Sequence, residues 1–260
     1  MDPGHRKLEL WQRCTDEEPD LYGVAALVAT IPDVAAAVVR FANSSYVGAV
    51  YPVGSVLDAV IRIGSRQVGA IAMASANRDL VETWGVPELW EDGLASGRAA
   101  KFIGRLMGLG RREAENLFVA GLFSSAGAAA LASDDPGYLA WRAKQWSRGV
   151  SESQLLSRER MAFQSDHVTA AGRILESWNM PTMIVDAVAS HHSPVTTFQK
   201  AVAAGMAVTD PFSPARCLDT SFPAAMRRLD LAAHTNSVSS EALRYVDALS
   251  PAGDRLLAGI

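Results

Sequence analysis

Three of the five histidines in this 260-residue chain lie in two short segments of its second half, Asp166-His167 and His191-His192. Imidazole is the commonest protein ligand for transition metals, and a carboxylate can ligate beside it. These four residues could therefore form a metal site or a nucleotide-binding pocket. The alternative is structural, because a histidine at a junction between helices commonly bonds to a backbone carbonyl or a carboxylate.

A second polar pair, Ser124-Ser125, could supply a hydroxyl nucleophile. A hydrolase serine needs a strand-turn-helix elbow and a base beside it, and the alanine- and glycine-rich residues 126–130 indicate neither. We therefore interpret both serines as small packing residues.

Trp141, Arg142 and Trp146 lie in a polar segment between residues 134 and 160. Tryptophan and arginine are typical anchors of protein contact surfaces, so these residues are candidates for binding a protein partner. The alternative is that the tryptophans cover the hydrophobic core.

The composition excludes several classes of protein. The 24 Lys+Arg and 28 Asp+Glu give a formal net charge of −4, and 49% of the residues are hydrophobic, which is typical of a globular domain. This charge argues against a nucleic-acid-binding surface.

No uninterrupted apolar run approaches the roughly 18 residues of a membrane span, and the first residues lack an apolar signal core. We therefore expect a cytoplasmic protein without membrane insertion. Cys14 and Cys217 show no spacing typical of a disulfide framework or a zinc site.

The apolar residues follow a helical period, and strand-like alternation is missing, so the sequence predicts an all-α fold. The clearest amphipathic pattern covers residues 114–122, and others cover residues 34–41, 168–175 and 184–191. We expect these patterns to form buried faces that include Phe118, Leu122, Leu175, Ile184 and Val188.

Seven segments, in order along the chain, resemble the HDOD domain, an all-helical bacterial signalling module related to the HD phosphohydrolases and HD-GYP phosphodiesterases. The segments are residues 31–44, residues 58–64, Leu89-Trp90, residues 118–122, residues 158–160 with Asp166-His167 and Gly172, residues 178–181, and His191-His192. The resemblance implies a multi-helix fold in which an N-terminal helical bundle packs on a degenerate HD-like helical subdomain.

The departures from the family pattern bear on activity. Where HD enzymes carry the metal-bridging His-Asp pair, this chain has Ser124-Ser125, and residues 203–206 lack the aspartate that completes the enzyme site. Neutral hydroxyls cannot replace the carboxylate that holds the metal. We therefore expect no enzyme activity, no cofactor and no bound metal. The resemblance leaves a residual HD-like pocket, which consists of Ser124, Ser125, Asp166, His167, His191 and His192.

These observations predict a non-enzymatic bacterial signal-transduction or adaptor protein that acts by protein-protein recognition, with a nucleotide or cyclic dinucleotide as a second ligand class. The alternative is a divergent metal-dependent nucleotide phosphohydrolase or phosphodiesterase. The predicted organisation is an N-terminal bundle over residues 1–85, a degenerate HD-like subdomain over 86–210 and a C-terminal helical extension over 211–260.

Overall fold

The computed structural model describes residues 3–48, 50–87, 89–208 and 222–249, and within these ranges helices are the regular structure and no strand occurs. The all-α prediction is confirmed. The helices are α1 (Pro3–Cys14), α2 (Leu21–Ala29), α3 (Pro32–Ala42), α4 (Val56–Ile63), α5 (Ser65–Thr83), α6 (Leu89–Leu106), α7 (Arg111–Leu122), α8 (Ala126–Asp134), α9 (Tyr138–Ser147), α10 (Glu152–Phe163), α11 (His167–Ser177), α12 (Thr182–Ala189), α13 (Thr197–Met206), α14 (Phe222–Arg228) and α15 (Thr235–Leu249), with a 3-10 turn at Ala232–His234.

The chain forms two compact units, of which the first comprises residues 1–79 with 243–260 and the second residues 80–242. All candidate site residues belong to the second unit. The predicted boundaries at residues 85 and 210 stay a prediction. Residues 209–221 and 250–260 of the predicted C-terminal extension lie outside the described residues.

In the first unit, helices α1 to α4 pack on one another around an apolar face of α3. Pro32 occupies the first turn of α3, where its missing N–H costs nothing. Lys7 on α1 is buried, and its Nζ atom lies 2.6 Å from an Asp33 carboxylate oxygen and 2.5 Å from one of Asp79. These two ion pairs compensate the desolvation of the ammonium group and tie α1 to α3 and α5.

In the second unit, glycines let three helix backbones approach closely. A Cβ atom on Gly121 of α7 would lie 2.7 Å from the Cα atom of Gly97 on α6, and one on Gly205 of α13 would lie 2.6 Å from the Ala100 nitrogen of α6. Any larger residue would therefore separate these helices. Helix α11 packs on α8 and α12, and α12 also packs on α7 and α13.

The predicted core residues of this unit are confirmed. Each of them is at most 1% exposed; they are Phe118, Leu122, Leu175, Ile184 and Val188. They lie on α7, α11 and α12, whose apolar faces meet in one core.

The stretch from Arg111 to Asp134 is long and apolar enough to cross a membrane by length and composition alone. However, 83% of its most apolar 18-residue segment is buried inside the protein. Its composition is that of a core element of the folded unit. The cytoplasmic location stays a prediction.

Candidate functional site

The ends of two helices bring the candidate histidines together. Asp166 is the N-cap residue of α11, and His167 is the first residue of that helix. His191 and His192 follow Ser190, which ends α12. Because α11 and α12 pack on each other, the beginning of one places His167 beside the two histidines at the end of the other.

Asp166 has a structural role in this arrangement. One carboxylate oxygen accepts a 2.8 Å hydrogen bond from the Thr169 backbone N–H, and the other lies 2.7 Å from Arg160 Nη1. Burial acts to raise the pKa of Asp166, but the Thr169 N–H and the Arg160 guanidinium outweigh it and hold that pKa below its usual range. Both carboxylate oxygens are thus engaged by the helix cap and by Arg160.

His167 is held by a buried acid from the preceding helix. Its Nδ1 atom lies 2.7 Å from Glu159 Oε2, which also accepts a 3.1 Å bond from the His167 backbone N–H. The other oxygen of Glu159 accepts a 2.7 Å bond from the Tyr138 hydroxyl. Since an ionised carboxylate only accepts, His167 carries its proton on Nδ1, and its Nε2 lone pair faces the other histidines.

His191 is fixed in the same tautomer by the backbone. Its Nδ1 atom lies 2.6 Å from the Val188 carbonyl oxygen, which can only accept, so the proton is on Nδ1. The Nε2 atom is buried and has no hydrogen-bond partner among the described residues. An unsatisfied polar atom in a protein interior is costly, so this lone pair is a feature that needs a physical account.

His192 completes a cluster of three imidazoles. Its Nε2 atom lies 2.8 Å from His167 Nε2, and its ring centroid lies 4.2 Å from that of His191. One potential ligand nitrogen from each of His167, His191 and His192 lies within 4.8 Å of the others. We call these three residues the histidine cluster.

The two buried histidines are neutral. Burial lowers the pKa of His167 well below its usual value, and the neighbouring Arg142 and His192 lower it further. Burial also lowers the pKa of His191, followed by the effects of His192 and His167. Neutral imidazole is the form that ligates metals, because a protonated ring has no free lone pair on nitrogen.

The two serines expected at the position of the His-Asp pair lie in the connection between α7 and α8. Ser124 is buried, and its hydroxyl donates a 2.6 Å bond to the Gly121 carbonyl at the end of α7. Ser125 is half-buried at the N-cap of α8, without a side-chain capping bond. Neither residue adds a carboxylate to the site.

Two of the predicted partner anchors require correction, because an anchor must be accessible before the partner binds. Arg142 and Trp146 are each only 6% exposed. Trp146 packs in a small hydrophobic cluster with Val150 and Leu155, and the half-buried Trp141 lies against it. Trp146 is therefore a core residue, as the alternative interpretation expected. The role of Trp141 as an anchor stays a prediction.

Glu159 and Tyr138 also belong to the site, although the sequence did not predict a role for either residue there. A signal for Glu159 was present, since it lies four residues after Leu155 and so on the same face of α10, and both are fully buried. An acid on an apolar helix face needs a buried partner, which here is His167.

The histidine cluster fits a single divalent transition-metal ion. Imidazole nitrogens suit zinc, cobalt, nickel or iron, whereas magnesium and calcium require oxygen ligands. Glu159 on the far side of His167 and the Val188 carbonyl on the far side of His191 are the hydrogen-bond partners that orient metal-binding histidines in other proteins. Among the described residues, the group of potential ligands contains imidazoles only.

Residues 5–194 match the HDOD domain family. No curated protein matches the chain significantly. A candidate phosphohydrolase from Shewanella amazonensis SB2B is similar in fold, with a TM-score of 0.68 and 17% identity over 94% of this chain and 93% of that one. An HDOD domain protein of unknown function from Geobacter sulfurreducens has a TM-score of 0.65 and 19% identity over 95% of this chain and 92% of that one.

A candidate signal transduction protein from Marinobacter aquaeolei VT8 has a TM-score of 0.67 and 18% identity, over 93% of this chain and 58% of that longer chain. At these identities the similarity is one of fold. It extends beyond the residues that match the family, since each comparison covers more than nine-tenths of this chain.

Proposed function

Because the chain belongs to the HDOD domain family, we propose that it is a non-enzymatic signal-transduction or adaptor protein that acts by binding a partner. One observation carries this proposal. Among the described residues, the ligand group in the HD-like region consists of three imidazoles, while Ser124 and Ser125 stand where the family resemblance places the metal-bridging pair of HD enzymes. Without a bridging carboxylate, the site lacks the charge that holds a hydrolytic metal and its phosphate substrate.

The hydroxyl of Ser124 supports the same proposal. It is committed to the Gly121 carbonyl and lies in the tight connection between α7 and α8. A serine that binds a metal or attacks a phosphate needs a free hydroxyl and a base to activate it. Glu159, a buried acid of the site, is committed to His167 and Tyr138.

A signalling role is supported by the family and by the Marinobacter protein, which is named as a candidate signal transduction protein and has the same fold over 93% of this chain. A protein without catalytic groups influences a pathway through binding. We propose a protein partner as the principal ligand, with a nucleotide or cyclic dinucleotide as the second ligand class.

The experiment that tests the proposal is a turnover screen of the full chain purified without a histidine tag. Cyclic dinucleotides, nucleoside phosphates and bis-p-nitrophenyl phosphate are incubated with the protein in the presence of manganese, iron or zinc. We expect no product above the level given by a His167→Ala variant. Turnover by the wild type that disappears in this variant contradicts the proposal.

A metal-dependent phosphohydrolase is the second candidate, and the buried, unpartnered Nε2 atom of His191 favours it. The Shewanella protein of the same fold is named as a candidate phosphohydrolase. His167, His191 and His192 would hold the metal. A bound metal would supply Lewis acidity and lower the pKa of a bound water. In this chain Glu159 would orient His167, and burial would keep His167 and His191 neutral.

A further inference from the structure

Helices α9 and α10 form a basic segment in an acidic chain. Residues 138–163, which comprise both helices and their connection, contain five Lys+Arg and two Glu and so carry a formal charge of +3, whereas the whole chain carries −4. One of the two acids, Glu159, is fully buried and bonds to His167 and Tyr138. The exposed cations of the segment are Lys144, Arg148, Arg158 and Arg160.

Three residues of α9 share one side of the helix. Trp141, Lys144 and Arg148 are three and four residues apart, a spacing that places them on successive turns of one face. Trp141 is half-buried, and both cations are exposed. Among the described side chains, no acid pairs with either cation. Their charges are therefore available to a ligand.

Side chains of α10 extend this face. Arg158 Nη1 donates a 2.8 Å hydrogen bond to Oε1 of Gln145, and the Phe163 ring centroid lies 4.9 Å from that of Trp141 in an edge-to-face arrangement. These two contacts show that α10 runs back along the same side of α9. Met161 lies one turn after Arg158 and is 84% exposed. The residues that we call the α9–α10 face are Trp141, Lys144, Arg148, Arg158 and Met161.

The α9–α10 face combines positive charge with apolar surface. One exposed apolar side chain is ordinary in a soluble protein, but methionine beside tryptophan and arginine is typical of contact surfaces. The cations favour a partner with carboxylates, and Met161 favours one that also offers an apolar side chain. Nucleic acid fits this face less well, because the acidic remainder of the chain repels a polyanion and a phosphate backbone offers Met161 no apolar contact.

We propose that the α9–α10 face binds a segment of a partner protein in which acidic residues flank an apolar side chain. The proposal deepens the proposed function, on which it rests for action through a protein partner. Trp141 and Met161 contact the apolar side chain, while the cations of the face pair with the carboxylates. The surface thus keeps one of the anchors predicted from the sequence and replaces the buried Arg142 and Trp146 with exposed residues.

The test measures the fluorescence anisotropy of a labelled peptide, in which glutamates flank one leucine and one phenylalanine, during titration with the full chain. We expect saturable binding that weakens as the salt concentration rises, because salt screens exposed charges. A peptide with glutamine for glutamate and one with serine for both apolar residues should each bind at least about tenfold more weakly. The proposal is overturned if the acidic peptide does not bind up to about 1 mM protein, or if either altered peptide binds equally well.

Two further probes distinguish a protein partner from other anionic partners. Oligothymidylate and phosphatidylglycerol vesicles are each used to displace the labelled peptide, and unlabelled peptide serves as the reference. We expect both probes to need a higher concentration of negative charge than the unlabelled peptide does. Displacement at a lower concentration by either probe overturns the proposal in favour of nucleic acid or a membrane surface.

Charge-reversed variants locate the binding surface. We expect Lys144→Glu/Arg148→Glu to weaken peptide binding about tenfold or more. The matched control is Arg111→Glu/Arg112→Glu, which reverses two exposed charges of α7 in the same unit and should change the affinity less than about twofold. Circular dichroism checks folding, and Lys144→Gln/Arg148→Gln replaces the reversed variant if that variant does not fold. Equal effects of the two reversals overturn the proposal, because only total charge would then matter.

The apolar part of the face has its own variant. Met161→Ser should weaken peptide binding about fivefold or more, and the effect should persist at high salt because it does not depend on charge. Val195→Ser, at another side chain of the same unit that is 77% exposed, is the control and should leave the affinity unchanged. Unchanged affinity in folded Met161→Ser overturns the proposal.

Failure of this proposal and failure of the proposed function give different results. Peptide binding without phosphate ester turnover supports both. Peptide binding together with turnover that requires His167 retains the α9–α10 face but contradicts the non-enzymatic function. Absence of both peptide binding and turnover overturns the α9–α10 face and leaves the non-enzymatic function intact.

Discussion

A Cβ atom placed on Gly127 would lie 1.8 Å from the backbone oxygen of His167, so helices α8 and α11 touch backbone to backbone. Gly127 comes two residues after Ser125, and His167 belongs to the histidine cluster. The segment in which the family resemblance places a His-Asp pair thus directly contacts the backbone of one histidine of the cluster.

This contact predicts the effect of Gly127→Ala. The added methyl group meets backbone atoms of α11 that cannot rotate away, so the two helices must separate. We expect a loss of about 3 kcal/mol in the free energy of unfolding, measured by urea denaturation.

Gly172→Ala on α11 is the matched control, because its Cβ atom would lie 3.4 Å from the Ala189 Cβ atom, an ordinary contact. There we expect a gain of up to about 1 kcal/mol from helix propensity. Equal effects of the two changes would contradict the close contact.

The buried network of Tyr138, Glu159 and His167 gives a second prediction. Glu159→Gln keeps the size of the side chain but removes the charge that accepts from His167 and Tyr138. We expect a destabilisation of about 2 kcal/mol, because hydrogen bonds to a buried charge are among the stronger ones. Tyr138→Phe removes one of these bonds and is expected to cost about 1 kcal/mol.

A double-mutant cycle tests whether these groups form one network. If they do, the double variant Tyr138→Phe/Glu159→Gln loses less stability than the sum of the two single changes. Strict additivity of the two free energies would show that the Tyr138 hydroxyl and Glu159 act independently.

Much of this scaffold could be predicted from the sequence, because burial follows the helical period. Phe118 and Leu122 are four residues apart on α7, and Ile184 and Val188 are four apart on α12, and all four are buried as predicted. The histidines were also identified as candidates. Their convergence depends on the packing of α11 on α12, which residue types at positions 167 and 191 do not encode.

The polar partners in the site were harder to predict, since a pattern of residue types does not give the direction of a side chain. Asp166 is adjacent to His167 in the sequence, yet its carboxylate caps α11, and the acid that bonds to His167 is Glu159, eight residues earlier. Likewise, a polar composition around Trp146 favoured a contact surface, although the indole ring packs on Val150 and Leu155.

The neutral histidines predict a pH dependence of stability in chelator-treated protein. Both have folded pKa values below their ordinary value of 6.5. Above that pH, the folded and unfolded chains both hold these rings neutral, and no dependence arises. Below it, the unfolded chain takes up protons that the folded chain excludes, so stability falls as the pH falls, by up to about 1.4 kcal/mol per pH unit for each histidine.

The measurement is a set of urea unfolding curves between about pH 7.5 and pH 5.5, which is about one unit on either side of the ordinary histidine pKa. Most carboxylates titrate below this range and therefore contribute little to the pH dependence. We expect His191→Gln to show a shallower loss of stability toward acid than the wild type. His234→Gln is the control, and its pH profile should match that of the wild type because His234 is exposed. A wild-type profile that is flat below pH 6.5 would contradict burial of the neutral rings.

Trp146 of α9 is 6% exposed and packs against Val150 and Leu155. Trp146→Ala therefore leaves a cavity. We expect it to lower the free energy of unfolding by about 3 to 5 kcal/mol, which is a large share of the stability of one domain. Trp146→Phe is the matched control: it keeps much of the apolar contact and also removes the indole N–H, which is buried and has no acceptor among the described residues. We expect its cost to be less than half that of the alanine variant, because little volume is lost and an unsatisfied donor disappears. The readouts are the urea midpoint and circular dichroism. A folded Trp146→Ala variant with unchanged stability would restore this tryptophan as an accessible anchor for a partner, whereas marked destabilisation that Phe largely repairs would establish its role in the core.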